Sequence, residues 1–189
     1  MTNIYFVRHA QPDVHWEDDR TRPLTALGLA DSKKVTKILL DKHIHHFWSS
    51  PYKRSYDTIA DCANRLNMPI HTDERFRERR QGMNSQAYLE RRWADFTFCE
   101  EGGECLSSVQ KRNIEALNEV LTMHKDENVV IGTHGTALSS ILNYFDPSFS
   151  CDDFKRFWFS LPYIIRIAFD DHALMTKTEL LKIDRGYGV

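Results

Sequence analysis

The chain predicts an α/β fold, a three-layer α/β/α sandwich with a mainly parallel central sheet and a small charged insert over the carboxyl edge of that sheet. Three observations predict it. The runs Asn3–Val7 and Asn128–Gly132 are short, apolar and rich in β-branched or aromatic residues, as strands buried on both faces are. Amphipathic helical patterns of about ten or more residues separate the strand candidates. No repeat, low-complexity tract or Gly/Ser linker interrupts the 189 residues. That length suits one ordinary domain, so residues 1–189 are read as a single domain.

In chain order, the strand at Asn3–Val7 gives way to a polar loop from Asp13 to Arg22. A helix starts near Thr25, whose hydroxyl suits a cap, and runs to about Asp41. Leu29, Val35, Ile38 and Leu39 form its apolar face. His46–Ser49 reads as a second strand, ending at Ser49-Ser50-Pro51, where a second helix opens and runs to Leu66. Met68–His71 is a third strand candidate. The segment 73–103 is charged and irregular, a cap insert with one helix over Ser85–Asp95. Leu106–Lys125 reads as a long amphipathic helix, Asn128–Gly132 as a strand and Thr136–Tyr144 as a helix. Ser150 and Asp153 have capping-box spacing. Ile164–Phe169 and Leu174–Ile183 read as closing strands, and Phe157, Trp158 and Phe159 as core aromatics.

Composition excludes several classes. Hydrophobic residues make up 41 % and charged residues 28 %, a globular balance rather than a disordered one. A net charge of -2 argues against a nucleic-acid partner. The most apolar stretch, Phe157–Phe169, is broken by Ser160, Pro162 and Arg166, so no membrane span is expected. Cys62, Cys99, Cys105 and Cys151 form no Cys-x-x-Cys pair and are read as reduced, mostly buried thiols. The amino terminus has no basic segment followed by an apolar one, so no secretory leader is expected and the location is read as cytoplasmic. His43, His45 and His46 have no carboxylate or cysteine at ligand spacing and are read as surface or edge residues.

The chemistry gathers at strand ends. Arg8-His9-Ala10 follows the first strand, and Thr133-His134-Gly135 follows the late one. If those strands are neighbours, both imidazoles face one crevice. A neutral imidazole nitrogen is a good nucleophile toward phosphorus. Arg8 offers a planar fork of donors for phosphate oxygens. Gly135 lets backbone approach an anion at a helix start. Arg54 falls in the first turn of the second helix, near the same edge.

These segments resemble the motifs of the histidine phosphatase (phosphoglycerate-mutase-like) superfamily. Arg8-His9-Ala10 resembles its Arg-His-Gly signature, and Leu24-Thr25-Ala26-Leu27-Gly28 its Leu-Thr-x-x-Gly stretch. Ser49-Ser50-Pro51, with Arg54 and Thr58, is similar to its Ser-Ser-Pro-x-x-Arg-x-x-x-Thr motif. Glu78 precedes Gly82 by the family's four positions, Gly103-Glu104-Cys105 resembles its Gly-Glu-Ser turn, and Thr133-His134-Gly135 resembles its Ser-His-Gly. The resemblance covers about residues 3–145, in the family's order.

It implies transient phosphorylation of His9, with Arg8, Arg54 and His134 binding phosphoryl oxygens. It implies Glu78 as the acid that protonates the leaving oxygen and then helps activate water. By residue type alone Asp73 and Glu74 compete for that acid role. Gln11 and Gly135 are further candidate substrate contacts. The resemblance implies no metal and no cofactor. The expected partner is a small phosphorylated metabolite, and the expected assembly a monomer or homodimer. Ala10 stands where the family has glycine, and Gln11-Pro12-Asp13 replaces the usual continuation of its mutases. With little sequence for an extensive lid, this favours a phosphatase over a mutase. The other readings are a phosphoglycerate mutase on the same site and a non-catalytic phospho-ligand binder. A dinucleotide-binding oxidoreductase lacks its Gly-x-Gly-x-x-Gly after the first strand.

Overall fold

The apolar alternation of the first strand sets the layers. A computed structural model describes residues 1–185, and in it β1 (Thr2–Arg8) is buried along nearly all its length. The last four residues of the expected 1–189 domain lie outside the described residues. Ile4 and Phe6 point into one apolar cluster, Tyr5 and Val7 into another on the opposite face. A strand buried on both faces needs helices on both. On one side lie α1 (Ala26–Leu39) and α2 (Lys53–Arg65), through Val35, Leu39, Ile59 and Cys62. On the other lie α4 (Leu106–Met123), α5 (Gly135–Phe145) and α6 (Cys151–Phe157), through Leu117, Val120, Leu138, Ile141 and Phe154.

The remaining strands are β2 (His46–Ser49), β3 (Ile70–Thr72), β4 (Asn128–Thr133), β5 (Ser160–Asp170) and β6 (Ala173–Asp184). Their order is β3-β2-β4-β1-β5-β6. β3, β2, β4 and β1 pair in parallel, and β5 alone reverses direction, antiparallel to both β1 and β6. The mainly parallel α/β/α architecture read from the sequence is therefore present. No helix among the described residues is long and apolar enough to cross a membrane.

Most elements begin where their chemistry says. The Thr25 side chain accepts from the Gly28 N–H and starts α1. Ser150 and Asp153 form a full capping box at α6. Four expectations need correction. Leu29 is exposed, and the inner face of α1 instead buries Asp31, which pairs with Lys34 and Arg185. The insert helix is shorter than expected: a 3-10 turn over Ser85–Tyr88 leads into α3 (Leu89–Ala94). Phe157 is a core residue, but Phe159 is exposed because the chain turns there into β5. Of the four thiols only Cys62 is buried; Cys99 is exposed, and Cys105 and Cys151 are half-buried.

Candidate active site

Strand register builds the site. Arg8 at the end of β1 pairs with Thr133 at the end of β4, and Ser49 at the end of β2 pairs with Gly132. His9, His134 and Ser50 therefore leave the carboxyl edge side by side. The His9 N–H donates to the Thr133 carbonyl at 3.2 Å, which holds the two strand ends together past the last pair. The imidazoles of His9 and His134 stand edge to face, 5.3 Å between centroids.

His9 is only 3 % exposed, yet it lines an open pocket of about 690 Å³. Its Nδ1 lies 2.8 Å from the Ala10 carbonyl. A carbonyl only accepts, so Nδ1 carries the ring proton and Nε2 keeps a lone pair. Arg54 Nε donates to that Nε2 at 3.3 Å. Burial, then the charges of Arg54 and Arg8, hold the ring well below the ordinary histidine range. It is a neutral imidazole with its nucleophilic nitrogen toward an arginine.

Arg54 is itself buried and fixed. Its Nη1 donates to the Asp19 carbonyl at 2.6 Å and lies 3.1 Å from the Asp19 carboxylate, and its cation sits 5.1 Å from the Tyr52 ring centroid. Thr58, one turn on in α2, donates to the Arg54 carbonyl and accepts the Ala10 N–H. The helix that carries the arginine thus also grips the loop that carries His9.

His134 has no exposed surface. Burial, then Arg54 and His9, hold it well below the ordinary range, so it is neutral. Its Nε2 lies 2.7 Å from the Ser50 hydroxyl, which already accepts the Tyr52 N–H. If Ser50 donates to Nε2, the proton sits on Nδ1, a nitrogen with no partner.

Arg8 departs from expectation. Its guanidinium donates to the carbonyls of Phe157 at 2.5 Å and Trp158 at 2.8 Å, at the end of α6. It lines a smaller inner cavity of about 140 Å³, not the open pocket. Gly135 serves that placement, because a Cβ there would stand 3.0 Å from Arg8 Nη2. Gln11 lines neither cavity; its side-chain carbonyl accepts from the Thr25 hydroxyl, and it braces the start of α1.

Glu78 lies between the two cavities and lines both. One carboxylate oxygen accepts the Arg79 N–H at 2.7 Å, the other the Thr136 N–H at 3.0 Å, in the first turn of α5. The flanking arginines are anchored below. Arg77 pairs with Glu104, Arg79 with Glu100, and Arg112 donates both to Glu104 and to the Glu78 carbonyl. The competing acids are engaged elsewhere: Asp73 pairs with Arg75 and Glu74 with Arg20.

The sequence reading missed Ser50 as a partner of His134, and it missed Asp19 and Arg22, which line the pocket with His9. Ser50 lies within the Ser49-Ser50-Pro51 motif. Asp19 sits in a loop whose pattern gave no signal, and Arg22 opens the segment that leads into the Leu-Thr-x-x-Gly stretch. Lysine and aromatic groups, Lys155, Trp158 and Phe159, complete the pocket mouth. A cation site was not expected around the histidine-rich stretch, yet His46, His124 and Glu127 gather three ligand atoms at the amino edge, away from His9. His46 Nε2 lies 2.9 Å from Glu127, a carboxylate brought in by β4 pairing rather than by sequence spacing. Trp48 Nε1 donates to His124 Nε2, so Nδ1 carries the proton and the ring offers Glu127 a hydrogen bond.

The chain also matches known proteins. Residues 4–178 match the model of the histidine phosphatase superfamily, branch 1. Phosphoserine phosphatase 1 of Hydrogenobacter thermophilus is 29 % identical over 150 residues, covering 71 % of each chain. A probable phosphoglycerate mutase of Proteus mirabilis is 26 % identical over 161 residues, covering 76 % of this chain and 74 % of its own. The structure of mycobacterial glucosyl-3-phosphoglycerate phosphatase with VO3 superposes with a TM-score of 0.77 at 17 % identity, covering 95 % of this chain and 97 % of that one. With strand ends, register and family model in accord, the chain belongs to the histidine phosphatase superfamily.

Proposed function

We propose that this protein is a metal-independent phosphatase that hydrolyses a small phosphomonoester through a phosphohistidine on His9. One observation carries the reading: a neutral imidazole whose unprotonated Nε2 opens on a wide pocket beside a buried guanidinium. Family membership and the phosphoserine phosphatase relative support hydrolysis.

In this reading the labour divides among the side chains at the strand ends. His9 Nε2 attacks phosphorus, and the leaving oxygen departs on the opposite side. Phosphoryl transfer spreads charge over three oxygens, so fixed donors near them do most of the catalysis. Arg54 supplies such donors, and the Nδ1–H assigned to His134 supplies another. Arg8 acts from behind, through its charge and by anchoring the pocket wall. Glu78 gives a proton to the leaving oxygen. It then takes one from the water that cleaves the phosphohistidine, which returns His9 to its starting state. The proton held by the Ala10 carbonyl stays on Nδ1 throughout.

The open pocket favours hydrolysis over a phosphoglycerate mutase on the same residues, because a mutase must keep water from its intermediate. Measuring phosphate release against isomer exchange on a phosphorylated glycerate separates the two. For the main reading, the test is to trap the enzyme with labelled substrate. An acid-labile, base-stable phosphate bond is expected, absent from His9→Ala, whose turnover falls at least about a thousandfold. Turnover is expected to survive a chelator. Loss that magnesium or zinc restores contradicts the metal-free chemistry.

A further inference from the structure

The sequence Cys99-Glu-Glu-Gly-Gly-Glu-Cys105 has no place in the mechanism above, yet it holds the mechanism's acid. The Gly103 N–H donates to the Glu100 carbonyl at 2.9 Å, and Gly102 has φ +73, a tight reversal that L side chains resist. The reversal, closed further out by the Ser107 N–H on the Phe96 carbonyl at 2.9 Å, turns Cys99 back toward Cys105, and each thiol enters the electrostatic surroundings of the other. Cys99 is exposed and Cys105 half-buried, so both are open to a small oxidant.

Cys105 occupies the N-cap position of the 18-residue helix α4, where a negative sulfur is favoured. Its sulfur lies 3.3 Å from the Ser107 hydroxyl and 3.1 Å from that of Ser108. Burial would raise its pKa; the two hydroxyls, the Ser108 N–H and the Cys99 thiol outweigh that and bring it to about 7. Cys62, in the core, is pushed up to about 11 by burial. The two environments assign nucleophilic character to one thiol and inertness to the other.

The residues between the two cysteines are anchors. Glu100 pairs with Arg79 and Arg92, and Glu104 with Arg77 and Arg112. Glu78 lies between Arg77 and Arg79 in the chain. The loop has no slack on its inner side, since a Cβ on Gly82 would stand 2.2 Å from the Glu101 carbonyl.

We propose that Cys99 and Cys105 form a reversible redox pair, closed to a disulfide by a peroxide, and that closure shifts the anchors of Glu78 and slows turnover. The Cys105 thiolate attacks one peroxide oxygen, the O–O bond breaks, and the departing hydroxide takes a proton to become water. The product is a sulfenic acid on Cys105. The Cys99 sulfur attacks that sulfur, an S–S bond forms, and hydroxide leaves with the Cys99 proton as a second water. Two thiols are oxidised and one peroxide reduced. A dithiol reverses the pair by exchange. Closure brings the two sulfurs to a bond length of about 2 Å, and the Glu100–Glu104 arc must follow.

The modification stands apart from the phosphatase reading; only its effect on turnover rests on it. The full chain is exposed to hydrogen peroxide, alkylated and digested with trypsin. Both cysteines fall in one peptide, residues 93–111, with no cleavage site inside. The expected product is that peptide two hydrogens lighter and unalkylated, restored by dithiothreitol. Cys99→Ser should stop at an oxidised Cys105 without the cross-link. Two alkylated thiols after peroxide treatment that oxidises glutathione, or links only between molecules, overturn the pair.

In the second arm, the cross-linked enzyme should hydrolyse an alkyl phosphate about tenfold more slowly, as expected for an acid displaced by a fraction of an ångström. p-Nitrophenyl phosphate, whose leaving group needs no proton, should slow less. Cys99→Ser should keep its rate in peroxide. A cross-linked enzyme with both rates unchanged overturns the coupling to Glu78. If no phosphatase activity exists at all, peptide mapping still decides the redox pair.

Discussion

Two contacts decide what His9 can do: the Ala10 carbonyl fixes which nitrogen is free, and burial with two arginines keeps the ring neutral. An imidazole depressed in this way stays a nucleophile in mild acid. The acid limb of kcat/KM, corrected for ionisation of the substrate, is therefore expected well below pH 6.5, and a limb at 6.5 or above would contradict it. For Glu78, general acid catalysis predicts a loss of about 10²–10⁴ in Glu78→Gln with an alkyl phosphate. The loss should shrink with p-nitrophenyl phosphate. Equal losses on both esters would mean that Glu78 only shapes the site. The sequence was readable here because His9, Arg54 and His134 each follow directly on a strand or open a helix after one. Arg8 was half readable. It follows the same strand end, but its partners include carbonyls at the end of α6, fixed by how α6 and β5 pack and invisible in the local pattern. Phe157, Trp158 and Phe159 look alike in sequence, and only the turn between α6 and β5 decides which of them meets solvent.

Among the elements, the insert shows the limits of pattern most clearly. In sequence it is only charged and irregular, yet Arg79, Arg92 and Glu100 are buried together. Burying two guanidiniums on one carboxylate is tolerable only while all three are present. Glu100→Gln should cost about 3–5 kcal/mol of stability, because it strands two buried cations while keeping the shape of the side chain. Urea denaturation measures it, and a change within experimental error would mean that the cluster is hydrated. The helix α1 errs in the other sense. Periodicity offered Leu29 as an inner residue, but Asp31 took that place because Arg185, at the far end of the described chain, reaches back to it. Periodic readings hold where helices pack on the sheet, as along α4, and fail where a distant charge completes the face.

For the whole molecule, layers and strand direction were legible, because two apolar runs separated by helices leave few arrangements. The reversed strand β5 was legible as a strand but not as antiparallel, since direction is set by its partners β1 and β6. Two buried neutral histidines also give the fold a signature in pH. Below about pH 6.5 the unfolded chain binds a proton at each ring and the native protein does not, so stability falls as pH falls. Each ring withdraws about 1.4 kcal/mol per pH unit in that window. Urea midpoints at pH 7.5 and 5.5 should show it, with a smaller difference in His134→Asn; an equal difference would remove His134 from the account. The parallel pairing of β1 with β4 has one more consequence. The first and second imidazoles belong to distant parts of the chain, and nothing short of that pairing brings them together. Loop-closure entropy must be overcome before any native-like contact between them forms. A refolding chain therefore regains helices early and chemistry late, and enzymatic competence is a clock for the slowest, most non-local step of its folding.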